Sequence, residues 1–105
     1  MQKIWLVGAM VLMSFNLAKA GEVGVDCSFD GRKLFGDVKI VDSFPDFKVK
    51  KVSSLADIKV KEVANFATNC GEWRYVNSFP DFTVQFVDSL PDFTIQEVSV
   101  FPGVK

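Results

Sequence analysis

The chain repeats one short phrase, and this repetition limits its possible folds more than any other feature. The phrase reads VDSFPDF at 41–47, VNSFPDF at 76–82 and VDSLPDF at 87–93. Aligned on the opening valine, the units begin at Val41, Val52, Val63, Val76, Val87 and Val98. The period is eleven residues, with two extra residues in the third unit. Because one unit buries too little apolar surface to fold alone, the copies must share one core.

Each unit has the apolar pattern of one short strand and one corner. Apolar side chains stand at unit positions one, four, seven and nine, which in the first unit are Val41, Phe44, Phe47 and Val49. The alternation with lysine from Phe47 to Lys50 has the two-residue period of a half-buried strand. β-branched and aromatic residues also favour strands. We therefore expect an all-β chain whose four apolar positions form the core.

The polar residues of each unit indicate a tight corner. Pro45 fixes φ near about −65° and suits the second position of a β-turn, with Asp46 next. The equivalent aspartates recur once in each regular unit, at Asp46, Asp57, Asp81 and Asp92. Such a series could hold calcium, but no unit gathers the several oxygen ligands of a calcium loop. We therefore predict that the aspartates cap the corners and that no metal site is present.

The period leaves the arrangement of the strands open. Eleven residues supply one strand and one corner, which is too short for a full coil of a solenoid. Either two or three units make one turn together, or the strands form one compact sheet or barrel. We predict a compact array of short strands from about six repeats, with a short β-solenoid as the alternative.

The first twenty residues have the layout of a secretory signal peptide. Lys3 precedes an apolar run of fourteen residues, and Ala18 and Ala20 form a small-residue cleavage pattern. The run is shorter than the roughly 20 residues that span a bilayer. We expect export to the periplasm or the extracellular space. Residues 21–105 would then be one mature domain without stable membrane insertion, and a retained N-terminal anchor is the alternative.

The two cysteines are the only ones in the chain, and exported domains use disulfides. We predict a Cys27–Cys70 bond, since two residues allow one intramolecular pairing. Closing that loop stabilises the fold by roughly 4 kcal/mol in the chain-entropy model, which matters because a domain of this size is marginally stable. Two thiolates without any histidine cannot complete a tetrahedral zinc site.

Composition excludes several functions. The mature chain has ten basic and thirteen acidic side chains, a net charge of −3, and so lacks the basic surplus that binds nucleic acid. A mild cluster of lysines fits a solvated face; it consists of Lys48, Lys50, Lys51, Lys59 and Lys61. Without histidine, Ser–His or Cys–His catalysis is impossible, and no pair of carboxylates is marked as catalytic. We expect no enzyme activity and no cofactor.

The segment NCGEWRY at 69–75 departs from the repeat. It is either a binding loop, since irregular segments on rigid repeats often carry recognition, or a structural element. In the binding interpretation the contact residues are Trp73, Arg74, Tyr75 and Glu72. In the structural one, Trp73 packs over the disulfide and Gly71 supplies a turn with positive φ.

The repeated V-D-S-x-x-D-x-x-V phrase, the NCGEWRYV interruption at 69–76 and the closing FPGVK resemble the septoil knot domain. This is a family of small bacterial proteins in which tandem strand repeats are threaded into a seven-crossing knot. The resemblance covers residues 35–105. It implies a compact, knotted all-β domain, and it implies no activity because the family has none to carry over.

Two functions fit these features. The first is an exported, non-enzymatic structural or interaction domain, with an envelope protein or a glycan as its partner. The alternative is a glycan- or calcium-binding module that uses the aspartate corners and the Trp73 segment. A melting temperature that rises with calcium or a glycan would favour the alternative.

Phe86 replaces the charged residues found at unit position eleven and is either an exposed contact or the inner end of a strand.

Overall fold

The computed structural model describes residues 23–104, and the expected signal peptide at 1–20 lies outside these residues. The described residues form strands and turns without a helix, so the all-β prediction is confirmed. Correspondingly, no segment within this range is a helix with the length and hydropathy needed to cross a membrane.

Residues 23–104 form eight strands, of which the last six follow the repeats. They are β1 (Ser28–Phe29), β2 (Arg32–Lys33), β3 (Gly36–Ile40), β4 (Phe47–Lys51), β5 (Ile58–Glu62), β6 (Glu72–Tyr75), β7 (Phe82–Phe86) and β8 (Phe93–Glu97). β1 and β2 pair as an antiparallel hairpin. The other six close into a barrel in the order β3-β6-β5-β8-β4-β7, and every pairing in it is parallel.

The barrel consists of two interlaced turns of the chain. β3, β4 and β5 make the first turn, and β6, β7 and β8 make the second. Around the barrel the strands of the two turns alternate, so strands that are consecutive in sequence are usually not paired; among the described strands of the barrel, β5 and β6 are the exception. Three units therefore make one turn, and the two turns form a compact closed array rather than a short solenoid.

Each strand pairs in the same register with the next one around the barrel. β3 precedes the first complete unit and corresponds to the second half of one, with Val38 at position nine. In each pair, position nine of one strand is the register partner of position seven of its neighbour, as Val38 is of Phe82 and Val49 of Phe93. The opening valine of each unit then donates its N–H to the position-nine carbonyl of a neighbouring strand, at 2.8–2.9 Å in all six units. Equal registers relate the units by rotation about one axis, so equivalent residues lie at one level of the barrel.

The inward side chains at unit positions seven and nine form the core. Position seven contributes Phe47, Ile58, Phe82 and Phe93, and position nine contributes Val38, Val49, Val60, Trp73, Val84 and Ile95. All are at most 5% exposed, which confirms the prediction for these two positions. The valines at position one are only half buried, because the chain leaves the barrel there.

The irregular third unit joins the first turn to the second. Between β5 and β6 the chain moves one place around the barrel, whereas the other connections from β3 to β8 move two places. The entry to β6 requires Gly71, whose φ is +83°. A Cβ at this position would lie 2.7 Å from the Gly103 nitrogen and would also collide with the Lys59 carbonyl oxygen. The predicted positive φ of Gly71 is confirmed.

The N-terminal hairpin covers the end of the barrel at which the strands begin. The centre of the Phe29 ring lies 5.6 Å from that of Phe47 and 5.3 Å from that of Phe93. The predicted Cys27–Cys70 disulfide is present, with 5.8 Å between the two Cα atoms. It fastens the hairpin to the corner that precedes β6.

Each regular corner crosses the outside of the strand that separates the two strands it connects. The corner at 41–46 crosses β7, to which it is hydrogen-bonded. The closing segment at 98–103 crosses β5 through two backbone hydrogen bonds between Lys59 and Gly103. The corners thus form a second layer outside the barrel.

Candidate functional site

Trp73 lies inside the core rather than on a surface. Its side chain is 0% exposed, and its indole N–H donates to the Leu34 carbonyl oxygen at 3.1 Å. Its ring packs edge-on against Phe82, with 5.5 Å between centroids. The prediction of a binding surface is therefore wrong for Trp73, because position nine of β6 points into the barrel.

Arg74 and Glu72 lie on the outer face and are engaged by the fold itself. Arg74 Nη1 donates to both carboxylate oxygens of Asp37, at 3.1 and 3.2 Å. Glu72 accepts from the backbone N–H groups of Asn69 and Thr68, at 3.0 and 3.2 Å. The hydrogen bonds from Asn69 contribute most to lowering the pKa of Glu72. Both side chains stay partly accessible, but Arg74 joins β6 to Asp37 of β3 and Glu72 holds the irregular corner.

Tyr75 belongs to the rim that the last residues of the six strands form. In order around the barrel, the rim consists of Ile40, Phe86, Lys51, Glu97, Glu62 and Tyr75. Tyr75 is half-buried, and this burial is the main cause that raises the pKa of its hydroxyl. The Glu97 and Glu62 carboxylates raise that pKa further, because a second negative charge beside them is unfavourable.

Phe86 occupies the same rim and is the inner end of a strand. Its ring packs against the core, and Lys51 Nζ lies 4.5 Å from the ring centre. The same ammonium group is 3.3 Å from a carboxylate oxygen of Glu97. Lys51 and Glu97 of the rim therefore neutralise each other, and the Lys51 side chain covers much of Phe86.

In the first turn, the corner aspartates bind the strand that the corner crosses. Asp57 accepts from the backbone N–H and the hydroxyl of Thr94, at 2.8 and 3.1 Å, while its own N–H donates to that hydroxyl at 2.9 Å. Asp46 makes the same three contacts with Thr83. These pairs connect the first turn of the chain to the second.

In the second turn, the corner aspartates bind backbone groups. Asp81 accepts from the N–H of Asp37 at 2.8 Å, and Asp92 accepts from the N–H of Lys48 at 2.7 Å. The carboxylates therefore hold each corner onto a neighbouring strand instead of capping their own corner. Within residues 23–104, no three acidic or cysteine side chains form a group that could hold a metal ion.

Position four of each unit provides a set of exposed apolar side chains. These six residues, which we name the corner tips, are Phe44, Leu55, Phe66, Phe79, Leu90 and Phe101. They are 85–97% exposed, and all have positive φ, between 51° and 57°. The prediction that position four belongs to the core is therefore wrong.

The backbone conformation of the tips is the reason for this difference. Each corner passes over a strand, and the left-handed conformation at its top turns the side chain away from that strand. A non-glycine residue in this conformation costs about 1–2 kcal/mol. A phenylalanine or leucine in the sequence therefore does not predict a left-handed backbone. Because the units are related by rotation, the six tips form one ring around the barrel.

Comparison with known proteins identifies the repeat fold. A family model described as the 7(1) septoil knot domain matches residues 31–105, which contain all six strands of the barrel. A comparison with curated proteins gave no match.

Proposed function

The chain belongs to the septoil knot domain family, and we propose that it is an exported, non-enzymatic interaction domain. In this proposal the closed barrel is a rigid support that presents the six corner tips to a partner surface. The family accounts for the fold, whereas the proposed role rests on the surface of this particular chain.

The corner tips are the observation that carries the proposal. Each tip exposes 85–97% of a phenylalanine or leucine side chain, and large exposed apolar surfaces are typical of interaction sites. Each tip also holds a strained backbone conformation. Stability alone does not favour strain and apolar exposure at six equivalent places, and contact with a partner would offset both.

Two features support an exported location. Residues 1–20 have the layout of a signal peptide, and a disulfide such as Cys27–Cys70 persists in an oxidising compartment. An exported domain meets its partners in the cell envelope or outside the cell.

The polar side chains support a non-enzymatic role. The sequence contains no histidine, and the corner carboxylates are hydrogen-bonded to neighbouring strands, as at Asp92 and Asp57. The same engagement weakens the calcium and glycan alternative, because the fold itself uses those carboxylates and because Trp73 is buried.

Retention on cell envelopes tests the proposal. The oxidised chain is mixed with an envelope fraction of the producing cells and sedimented, in parallel with a variant that has serine at all six tips. We expect the wild type to sediment with the envelopes and the variant to lose this retention by at least about tenfold. The reason is that burying one leucine or phenylalanine side chain contributes about 1.5–3 kcal/mol.

Thermal melts of the two proteins are the control. Because the tips are exposed, the serine variant should melt close to the wild type. Equal sedimentation of two folded proteins, or sedimentation of neither, would contradict the interaction role. NMR titration of the carboxyl groups tests the non-enzymatic part, since a carboxyl group that ionises near neutral pH would argue for catalysis.

A further inference from the structure

The outer faces of the barrel strands are unevenly charged. β4, β8 and β5 are neighbours around the barrel, and their outward residues are Lys48, Lys50, Thr94, Gln96, Lys59 and Lys61. This face, which we name the lysine flank, has four lysines and no outward acidic residue. On β6, β3 and β7 the outward residues are Glu72, Arg74, Asp37, Lys39, Thr83 and Gln85. This mixed flank balances two acidic residues with two basic ones.

The four lysines of the lysine flank are only partly balanced by acidic residues of the barrel strands. Lys61 of β5 lies opposite Glu72 of β6 in the register, within reach of its charge. None of its four lysines forms an ion pair with a carboxylate of residues 23–104. The ion pairs observed in this range use other basic residues. The nearby corner carboxylates keep their negative charge but are directed to neutral donors, since Asp92 accepts from the Lys48 backbone N–H and Asp57 from Thr94. On the mixed flank, by contrast, Arg74 pairs with Asp37 at 3.1 Å.

Three corner tips stand over the lysine flank. The corner of Leu90 crosses β4, the corner of Leu55 crosses β8, and the closing segment with Phe101 crosses β5. Val100, which precedes Phe101, is also 57% exposed. The segment at 98–103 contains no charged residue. Exposed apolar side chains and lysines therefore share one side of the molecule.

A groove on this flank brings the two kinds of side chain together. It lies between the corner at 52–57 and the closing segment, and its lining includes Leu55, Lys59, Gln96 and Gly103. An apolar wall beside an ammonium group and an amide fits an amphiphile whose head is anionic.

We propose that the lysine flank binds the surface of a bilayer that contains anionic lipids. The lysines attract the lipid phosphates, and the apolar tips beside them enter the interface between headgroups and acyl chains. This assignment rests on the interaction role proposed above and names its partner. The mixed flank carries equivalent tips without a surplus of lysine, so it provides an internal comparison.

Vesicle co-sedimentation tests the assignment. The chain is recovered with its disulfide closed from an exporting host, and is mixed with vesicles of phosphatidylcholine that contain about 30% phosphatidylglycerol, or with vesicles of phosphatidylcholine alone. We expect binding to the anionic vesicles, at least about tenfold weaker binding to the neutral ones, and a loss of binding as the salt concentration rises.

Two matched pairs of tip substitutions locate the surface. Leu55→Ser with Phe101→Ser alters the lysine flank, and Phe44→Ser with Phe79→Ser alters the mixed flank. The first pair should weaken vesicle binding by about tenfold or more, and the second should leave it unchanged. Circular dichroism melts of both variants establish that each is folded.

Lys48→Gln with Lys59→Gln should also weaken binding by about tenfold and reduce its salt dependence. Absence of wild-type binding, or an equal loss from both tip pairs, would overturn the lipid assignment. If envelope retention depends on the tips while vesicles do not bind, the interaction role stands and its partner is a protein or a second copy of the chain. If envelope retention is also independent of the tips, the interaction role itself is overturned.

Discussion

At the scale of single residues, the corner tips combine two properties that rarely occur together. Leu55 has φ 57° and is 96% exposed. In this conformation the Cβ atom crowds the following carbonyl oxygen, which costs about 1–2 kcal/mol, and an exposed side chain gains little from packing. The tips are therefore sites at which the native fold is less stable than it could be.

Leu55→Gly should stabilise the protein. Glycine adopts positive φ without steric strain, and the relief exceeds the greater freedom that glycine gives the unfolded chain, about 0.4–1 kcal/mol. We expect the free energy of unfolding in urea to rise by up to about 1 kcal/mol. Leu55→Ala is the control and should leave it nearly unchanged, since it keeps the Cβ and removes only exposed atoms. A less stable glycine variant would contradict the strain argument.

Tyr75 should ionise only at unusually high pH. Burial, Glu97 and Glu62 raise the pKa of its hydroxyl, so above about pH 10 the unfolded chain loses this proton while the folded chain keeps it. The contribution to stability is therefore complete below about pH 10 and is lost as the pH rises further. Tyr75 is the only tyrosine, so tyrosinate absorbance reports on it alone.

The expected absorbance change is delayed to a pH well above the usual range and coincides with unfolding. Tyr75→Phe should make the free energy of unfolding less dependent on pH in the alkaline range. Normal ionisation near pH 10 in the folded protein would argue against the buried position of the hydroxyl.

The sequence predicted the residues whose roles depend on local pattern. Phe47 and Val49 follow the two-residue period and are buried, and Gly71 has the expected positive φ. Phe44 was predicted to be buried because it is apolar, yet its orientation depends on a backbone conformation that sequence letters do not reveal. Trp73 is the opposite case. The binding interpretation placed it on a surface, but it is buried, because its place in the core depends on which strands lie around β6.

At the scale of elements, the corners are attached to the strands that they cross. Asp57 and Thr94 exchange three hydrogen bonds across the two turns, and the next regular corners repeat the attachment with threonine or backbone groups. One short side chain per corner thus joins two layers that are distant in sequence.

A double-mutant cycle should detect this attachment. We expect Asp57→Ala to lower the free energy of unfolding by about 1–2 kcal/mol, because the Thr94 N–H loses a charged acceptor. Thr94→Val should cost less, and the coupling energy between the two substitutions should be about 0.5–1 kcal/mol. Asp81→Ala is the matched control, because Asp81 accepts from the Asp37 N–H on β3 instead; it should not couple to Thr94→Val. Additive effects of Asp57→Ala and Thr94→Val would contradict the attachment.

The sequence foresaw one strand and one corner in each unit, but not what the corners bind. Proline followed by aspartate is a signal of a local turn, and it led to the expectation that the carboxylates cap their own corners. The groups that donate to these carboxylates lie on another turn of the chain, as the Thr94 N–H does for Asp57. No local pattern specifies such a partner.

At the scale of the whole molecule, the disulfide secures the hairpin that covers one end of the barrel. The bond joins residues 43 apart in sequence, so it restricts the unfolded chain considerably. We expect Cys27→Ser with Cys70→Ser to lower the free energy of unfolding by roughly 4 kcal/mol, as measured by urea denaturation. Leu55→Ala serves as the comparison, and a loss below about 1 kcal/mol would show that the unfolded chain gains little freedom.

The interlaced order of the strands was beyond the reach of sequence reasoning. The repeat period excluded a simple coil and left two or three units per turn open. The choice depends on pairings such as Val38 with Phe82 and Val49 with Phe93, and near-identical units offer many similar pairings. The extra residues of the third unit were visible, but their role in passing from one turn to the next depends on the closed barrel.

Closure of the barrel also constrains how a gene for such a chain can evolve. An open solenoid can gain or lose a repeat by duplication or deletion, because the remaining copies still stack. Here every strand of one turn already lies between two strands of the other, so a seventh strand would have no gap to enter, and a missing strand would open the wall. Variation should therefore accumulate as substitutions within six units rather than as changes in copy number.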